Sequence, residues 1–321
     1  MALPESLKDS LRIPLVGAPM FIVSNPELVI AQCQAGIVGS FPALNARPQT
    51  ALEEWIVQIK TSLAEYAAAH PDEKVAPFAV NQIVHASNTR LQEDLETCVK
   101  HEVPIIITSL RPPADVVAAV HSYGGLVFHD VISMRHARKA IEQGVDGLIA
   151  VTAGAGGHAG PLSPFALVKE IRKEFDGAII LSGSMSSGGD ILAAQAMGAD
   201  LAYFGTRFIA TAEANAIGEY KDMVVKSSAA DIVYTPYFTG VPGSYLRGSI
   251  ERAGLDPENL NVTDAKHMDF GKRDESDAKA WKDIWGAGQG VGNIDAVLPA
   301  RDLVLRLEQE YRDCRTRLGI S

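Results

Sequence analysis

One histidine in this sequence lies in a loop of small residues that leaves its side chain uncovered. The segment Thr152–Gly160 reads T-A-G-A-G-G-H-A-G, so four glycines surround His158. Glycine lets the backbone pass close to a flat ligand, and a neutral imidazole accepts a proton near pH ~7. The pattern predicts a general base beside a planar ligand. The alternative is a flexible surface loop whose histidine has no chemical role.

Two other stretches of small residues have a composition typical of phosphate-binding loops. Leu181–Asp190 reads L-S-G-S-M-S-S-G-G-D and precedes a predicted helix, and Phe204–Arg207 reads F-G-T-R. The first N–H groups of a helix are unpaired within it and can bind a phosphate dianion. We therefore expect a phosphate-bearing cofactor here, with Gly183 and Ser184 in the first loop. Tight turns without a ligand are the alternative.

A few further polar residues have two interpretations each. Asn81 can both donate and accept hydrogen bonds, so it suits the edge of a heterocycle, although a capping role fits equally well. His129 either meets the cofactor or substrate, or pairs with the aspartate that follows it. Three tyrosines in the expected C-terminal cap either line a pocket or only pack against other aromatic rings; they are Tyr234, Tyr237 and Tyr245.

Eight short apolar runs, each followed by a helix-like stretch, provide the elements that position these residues. The runs are Ile13–Gly17, Gly36–Ser40, Pro77–Val80, Ile105–Thr108, Gly125–Phe128, Gly147–Val151, Ala178–Leu181 and Leu201–Phe204. Several lack alternation, which is typical of parallel strands buried on both faces. Eight such units predict an α/β fold, the (β/α)8 TIM barrel. The alternative, an open doubly wound sheet, lacks its G-x-G-x-x-G turn after the first run.

Apart from the three tyrosines, the candidate residues follow predicted strands, where barrels of this kind build their active sites. After residue 208 the alternation of apolar runs and helices stops, and Pro-, Gly- and charge-rich segments follow. We expect residues 1–208 to form the barrel. Residues 209–321 are expected to form a C-terminal helical cap or small second domain over the barrel mouth.

Composition excludes several other classes of protein. The 321 residues carry 29 Lys and Arg against 39 Asp and Glu, a formal charge of −10, so a nucleic-acid partner is not expected. Three cysteines without C-x-x-C spacing exclude a disulfide framework, and no apolar run is long enough for a membrane span. The absence of H-E-x-x-H and G-x-S-x-G leaves a metallohydrolase or serine hydrolase without support. The expected location is cytoplasmic, with no metal and no membrane partner.

Six short motifs, in order, resemble those of nitronate monooxygenases, formerly called 2-nitropropane dioxygenases. They are G-A-P-M at 17–20, F-A-V-N at 78–81, A-G-G-H-A-G at 155–160, the S-G-x loop at 182–184, G-A-D…G-T-R-F at 198–208 and A-G-Q-G at 287–290. Each motif is weak alone, but their common order from residue 13 to about 298 is specific.

The resemblance implies an FMN-containing TIM barrel that oxidises alkyl nitronates, and in some cases nitroalkanes, with O2 and without a metal. His158 falls on the family's catalytic histidine, which acts as a base toward the substrate. A homodimer is compatible with this assignment. The residues that the resemblance places at FMN are Pro19, Met20, Asn81, Val151, Gly156, Gly157, Gly183, Ser184, Tyr203, Phe204, Gly205 and Thr206.

The sequence departs from the family pattern at two positions. Ser184 stands in a loop that usually reads G-G-I/F-x-D-G, and we expect it to give its backbone N–H and its hydroxyl to the phosphate. Val151 replaces a glutamine and removes one hydrogen bond to the flavin. Two related enzymes on the same fold are alternatives: an NAD(P)H:quinone reductase and an FMN-dependent enoyl-[acyl-carrier-protein] reductase. A flavin-binding barrel without catalysis is the non-enzymatic alternative.

Overall fold

Eight parallel strands follow one another around a closed sheet in the computed structural model, which describes residues 3–111, 113–260 and 283–320. The strands of the chain are β1 Leu15–Gly17, β2 Gly39–Pro42, β3 Phe78–Val84, β4 Ile105–Leu110, β5 Leu126–Val131, β6 Gly147–Val151, β7 Gly157–His158, β8 Ala178–Ser182, β9 Leu201–Phe204, β10 Ile232–Thr235 and β11 Gly243–Leu246. The sheet order is β1-β9-β8-β6-β5-β4-β3-β2. A parallel bridge between Val16 and Val38 closes it into a barrel. The predicted (β/α)8 fold is confirmed.

Helices surround this barrel, and each predicted apolar run has become one of its strands. The helices are α1 Glu5–Lys8, α2 Pro26–Gln34, α3 Ala51–Ala69, α4 Leu91–Lys100, α5 Ala114–His121, α6 Met134–Glu142, α7 Pro164–Arg172, α8 Gly188–Met197, α9 Thr206–Ile209, α10 Gly218–Lys226, α11 Arg247–Arg252 and α12 Ala300–Arg317. Several begin at a capping side chain; Asn25 accepts from the N–H of Leu28, and Ser133 accepts from that of His136.

Alternate residues of each strand point into the barrel or out toward the helices. On β3, Ala79 belongs to the interior cluster, whereas Phe78 and Val80 pack in the outer layer between strands and helices. Leu7 from α1 and Leu11 after it belong to the interior cluster as well. They close the end of the barrel opposite the mouth, where the carboxyl ends of the strands lie.

The C-terminal part of the chain contacts the barrel in two places. β10 and β11 form a hairpin that adds to β7, giving a separate three-stranded sheet beside the mouth. α12 packs against α8 and α2, so this last helix lies in the ring of helices around the barrel. The division at residue 208 stays a prediction, and residues 261–282 of the expected cap lie outside the described residues.

The described residues include no helix that is both long and apolar enough to cross a membrane. Within the same ranges, no group of three or more His, Cys, Asp or Glu side chains is arranged to hold a metal ion. All three cysteines are free thiols, and burial raises the pKa of Cys33 and of Cys98 to about 12. These two thiols therefore stay protonated and inert.

Candidate active site

The loop that carries His158 is held at the barrel mouth by the β10–β11 hairpin. β7 pairs antiparallel with β11, and His158 lies opposite Gly243. The N–H of Ala159 donates to the carbonyl of Pro242 at 3.2 Å. The hydroxyl of Tyr234 donates to the carbonyl of Ala159 at 2.8 Å. The loop after β6 is thus fixed on both sides of the histidine, rather than flexible.

The imidazole of His158 contacts a buried hydroxyl of the same hairpin. Its Nε2 lies 2.8 Å from Oγ1 of Thr239, which is 4% exposed. Burial lowers the pKa of His158 to about 4, so the ring is neutral at pH ~7 and able to accept a proton. Tyr245 packs beside this pair, and burial raises its pKa to about 12. Thr239 and Tyr245 are therefore both uncharged at neutral pH.

A hydrogen-bonded row of polar side chains lies on the inner face of β3, β4 and β5. Nδ2 of Asn81 donates to Oγ of Ser109 at 3.1 Å, and Ser109 donates to Oδ2 of Asp130 at 2.7 Å. Burial raises the pKa of Asp130 to about 6, and its Oδ1 has no hydrogen-bond partner among the described residues. Tyr203 faces the same interior, where burial and the charge of Asp130 raise its pKa. A buried acceptor without a partner suits a donor group on a ligand.

A segment from the C-terminal part of the chain bridges the loops after β6 and β9. The N–H of Gln289 donates to the carbonyl of Gly154, and the N–H of Gly288 donates to Oγ1 of Thr206, both at 2.8 Å. A Cβ on Gly156 would lie 2.8 Å from the nitrogen of Gly288. The A-G-Q-G motif therefore lies against the histidine loop, and this close approach requires glycine at 154 and 156.

The expectation of unpaired N–H groups at the start of α8 is wrong for Ser186, Ser187, Gly188 and Asp190. The N–H groups of Ser186 and Ser187 donate to Oδ2 of Asp190 at 2.9 and 2.8 Å. The N–H of Gly188 donates to Oε2 of Glu310, on α12, at 2.8 Å. Two carboxylates thus occupy the positions where a phosphate would bind. A phosphate dianion would be repelled from this helix terminus by their charge.

The preceding turn also differs from the prediction in one respect. The N–H of Ser184 donates to the carbonyl of Gly154 at 3.3 Å, so it is not available to a phosphate as expected. Ser184 is exposed and has φ +56°, and its hydroxyl donates to the carbonyl of Ala153 at 3.4 Å. Gly183 has φ +136°, and a Cβ there would lie 2.5 Å from Oγ1 of Thr152, so only glycine fits. A role for Gly183 and Ser184 in cofactor binding stays a prediction.

The other predicted cofactor residues lie around the same mouth. Pro19 and Met20 follow β1, and a Cβ on Gly205 after β9 would lie 3.7 Å from Sδ of Met20. Val151 packs on the interior cluster and so faces inward. Phe204 is fully buried in the outer layer, so its ring points away from the mouth and only its backbone lies there.

His129 does not belong to the mouth. Phe128 faces the interior, so the next side chain along β5 points outward. Nδ1 of His129 lies 2.8 Å from Oγ1 of Thr108, and burial lowers its pKa to about 4. His129 thus faces away from the mouth and pairs with Thr108, whereas the aspartate that follows it pairs with Ser109. The sequence analysis gave no site role to Ser109 and Asp130, included Gln289 only within the A-G-Q-G motif, and missed Thr239 altogether.

A (β/α)8 barrel with a glycine-bounded histidine at the carboxyl ends of its strands has the architecture of a barrel enzyme. The family model described as nitronate monooxygenase matches residues 5–310. The chain belongs to the nitronate monooxygenase family, as its six motifs indicated. It is an oxidoreductase, and the enzymes of this family depend on a flavin.

Individual relatives agree with this assignment. A nitronate monooxygenase of Paraburkholderia phytofirmans is 27% identical, over 93% of this chain and 92% of that protein. A putative monooxygenase of Mycobacterium tuberculosis is 29% identical over 72% of this chain, which spans 65% of that protein's length. Among solved structures, the nitroalkane oxidase of Streptomyces ansochromogenes has a TM-score of 0.75 at 25% identity, covering 98% of this chain and 100% of that one. FabK of Thermotoga maritima has a TM-score of 0.76 at 23% identity, with 97% and 96% covered, a likeness of fold.

Proposed function

We propose that this protein oxidises alkyl nitronates with O2 by means of bound FMN, and that it also accepts neutral nitroalkanes. The observation that carries the proposal is the neutral imidazole of His158, fixed at the barrel mouth by the β10–β11 hairpin. The family of the chain supports a flavin-dependent oxidation, and the likeness to a nitroalkane oxidase supports the substrate class.

The chain's own residues fit a flavin at this mouth. Asn81 and the unpartnered Oδ1 of Asp130 offer polar atoms to the edge of a heterocycle, and Val151 and Tyr203 offer apolar surface beside them. Gly156 and Gly157, with Pro19 and Met20, would surround the ring. With the start of α8 occupied, Gly183, Ser184, Gly205 and Thr206 are the residues proposed to hold the phosphate.

His158 has one task in this proposal. A neutral nitroalkane must lose its α-proton before oxidation, and the imidazole accepts that proton; a nitronate has already lost it. Bound flavin supplies the electron acceptor. The buried surroundings of His158 keep it unprotonated, and the hairpin fixes the ring against the substrate position.

Two steady-state assays test the activity. We expect O2-dependent turnover of propionate-3-nitronate and little oxidation of NADH in the presence of a quinone. NADH-dependent quinone reduction in place of nitronate turnover would assign the quinone reductase instead. NAD(P)H-dependent reduction of an enoyl thioester would assign the enoyl reductase, and no turnover with any of these would favour a flavin-binding barrel.

The cofactor is tested separately. We expect acid treatment of the purified yellow protein to release FMN, identified by chromatography, because the sequence predicts one phosphate site after the seventh and eighth barrel strands and carries no fingerprint for a second nucleotide. Release of FAD, or no flavin after reconstitution, would refute the FMN proposal. The cytoplasmic location and the homodimer stay predictions, the latter open to light scattering of the purified protein.

A further inference from the structure

Asp130 is a carboxylate that faces the interior of the barrel and has one hydrogen-bond donor. Phe128 belongs to the interior cluster, so Asp130, two residues further along β5, points to the same side. Its Oδ2 accepts from Oγ of Ser109 at 2.7 Å, whereas its Oδ1 is buried without a hydrogen-bond partner among the described residues. Burial and this one hydrogen bond set the pKa of Asp130, and no cation contributes to it. The negative charge of Asp130 is therefore only partly compensated.

The neighbours of Asp130 on the inner face are residues proposed to surround the flavin. Ser109 also accepts from Nδ2 of Asn81 at 3.1 Å. On the other side, Asp130 lies in register with Ile149, two residues before Val151. Asp130 is partly exposed, and an inward-facing side chain at this end of a strand can reach solvent only through the mouth. A ligand in the mouth would therefore lie beside this carboxylate, and water there can give it a proton.

From this placement we infer that Asp130 is a proton acceptor linked to the reduction of the bound flavin. Two electrons that enter the flavin add negative charge beside a carboxylate that no cation compensates, and this repulsion favours the protonated carboxyl. One proton then passes from water to Asp130 and neutralises it, and the new O–H bond is the only bond that changes on this side chain. The inference rests on the proposed function, in which the flavin lies at the mouth and the nitronate or nitroalkane supplies the electrons.

The ionisable groups near Asp130 leave the neutral pH range to this carboxyl. Burial raises its pKa to about 6, and added charge on the flavin would raise it further. Tyr203 faces it from β9 and stays protonated, because burial and the charge of Asp130 raise its pKa. His158 after β6 and the outward-facing His129 both have a pKa of about 4. The inward-facing residues near the mouth ends of the other strands are uncharged; they are Ala18, Ser40, Asn81, Ser109, Val151 and Ser182.

The test is the pH dependence of flavin reduction in the flavin-loaded protein, measured from pH 5 to 9 by equilibration with reference dyes. Light supplies the electrons, so no substrate is involved. We expect the wild type to take up one proton more than Asp130→Asn over part of this range. Its equilibrium constant for reduction should equal that of Asp130→Asn near pH 5 and be at least about tenfold lower near pH 9, which is about 30 mV for a two-electron couple.

Infrared difference spectra of the same proteins identify the group that takes up the proton. We expect a protonated-carboxyl band to appear on reduction of the wild type near pH 7 and to be absent in Asp130→Asn. Ser109→Ala removes the hydrogen bond to the carboxylate and should move the additional proton uptake to higher pH. His129→Asn is the matched control, because this neighbour on β5 faces outward and titrates near pH 4; it should behave like the wild type.

Equal pH dependence of reduction in the wild type and in folded Asp130→Asn would overturn the inference, as would the same loss in His129→Asn. If Asp130→Asn did not fold, an unchanged pH dependence in Ser109→Ala would overturn it instead. A protein that binds no flavin would refute the cofactor proposal and this inference together. Turnover of a substrate other than a nitronate or nitroalkane would refute the proposed function alone, since the reduction measurements use no substrate. Thermal unfolding and flavin content of each variant separate these outcomes from misfolding.

Discussion

Burial sets the working range of His158 as a base. An exposed imidazole titrates near pH ~6.5, whereas partial burial of the ring lowers the pKa of His158 to about 4. The base form is therefore complete throughout the neutral range. A base of low pKa has a smaller driving force for proton abstraction, so its position against the substrate must supply much of its catalytic effect.

His158→Asn should separate the two substrate classes. Turnover of a neutral nitroalkane should fall by about 10²–10⁴-fold because the proton acceptor is gone, while nitronate turnover and flavin content persist. In the wild type, kcat/KM for the nitroalkane should rise with pH near 4, and this limb should be absent in the variant. Steady-state measurement of oxygen consumption from pH 4 to 8 gives both the loss of turnover and the pH dependence of kcat/KM. Equal losses for the two substrates would show that His158 binds substrate rather than accepting its proton.

Sequence alone could predict residues whose neighbours in the chain reveal them. His158 stands among glycines, and Asn81 ends an apolar run, so both were identified before the fold was known. Thr239 contacts His158 from 81 residues further along the chain, and no local pattern marks it. Asp130 acquires its raised pKa only because the closed barrel buries it. Contacts of this kind depend on the fold and are not encoded in local spacing.

At the scale of elements, helix α8 is predicted correctly from the sequence, but the ligand expected at its N-terminus is not. The small residues before it do cap a helix, with Ser187 and Asp190 forming a reciprocal capping box. The N–H groups of Ser186, Ser187 and Gly188 nevertheless donate to carboxylates of the chain itself. The second carboxylate comes from Glu310, 122 residues away from Gly188, which is a distance that a local motif cannot show.

Two neighbouring glycines of α8 should respond oppositely to alanine. A Cβ on Gly188 would collide with the carbonyl of Leu307 and the nitrogen of Tyr311, both backbone atoms of α12. Gly188→Ala should therefore force the two helices apart and lower the free energy of unfolding by about 1–3 kcal/mol. Gly189→Ala is the control, because its nearest atoms would lie at 3.7 Å, and we expect a gain of up to about 0.5–1 kcal/mol.

Urea unfolding of both variants measures this difference, and flavin titration of the folded proteins accompanies it. Flavin affinity should stay unchanged in Gly189→Ala, since the start of α8 is occupied by Asp190 and Glu310. Equal stabilities for the two variants would mean that α8 and α12 do not pack through Gly188. A loss of flavin affinity that is seen only in Gly189→Ala would show that the flavin phosphate binds at the start of α8 after all.

Over the whole molecule, the barrel could be predicted because its strands are local apolar runs repeated around one axis. The packing of the C-terminal part of the chain against the barrel could not be predicted, because its contact partners are distant in sequence. α12 completes the ring of helices between α8 and α2, while the hairpin and the A-G-Q-G segment reach the mouth. Completion of the helical ring and assembly of the site thus use the same part of the chain.

The closed barrel also makes stability depend on pH through groups it buries. His129 is 2% exposed, and its pKa falls from 6.5 to about 4 on folding. Between these values the unfolded chain binds a proton that the folded chain does not, so His129 costs stability as the pH falls through this window. Asp130 acts with the opposite sign, because its pKa rises from 3.8 to about 6. The two neighbours on β5 therefore partly offset each other between pH ~4 and 6.

Replacing His129 should isolate one side of this balance. His129→Asn keeps a polar group toward Thr108 but cannot titrate, so its stability should fall less than that of the wild type between pH 6.5 and 4. The difference should grow by up to about 1.4 kcal/mol per pH unit, the value for one proton, and reach at most about 3 kcal/mol. Urea unfolding at pH 4.5, 5.5, 6.5 and 7.5 measures it, with His85→Asn as a control at the start of a loop. Parallel curves for His129→Asn and wild type would mean that His129 titrates in the fold as it does in the unfolded chain.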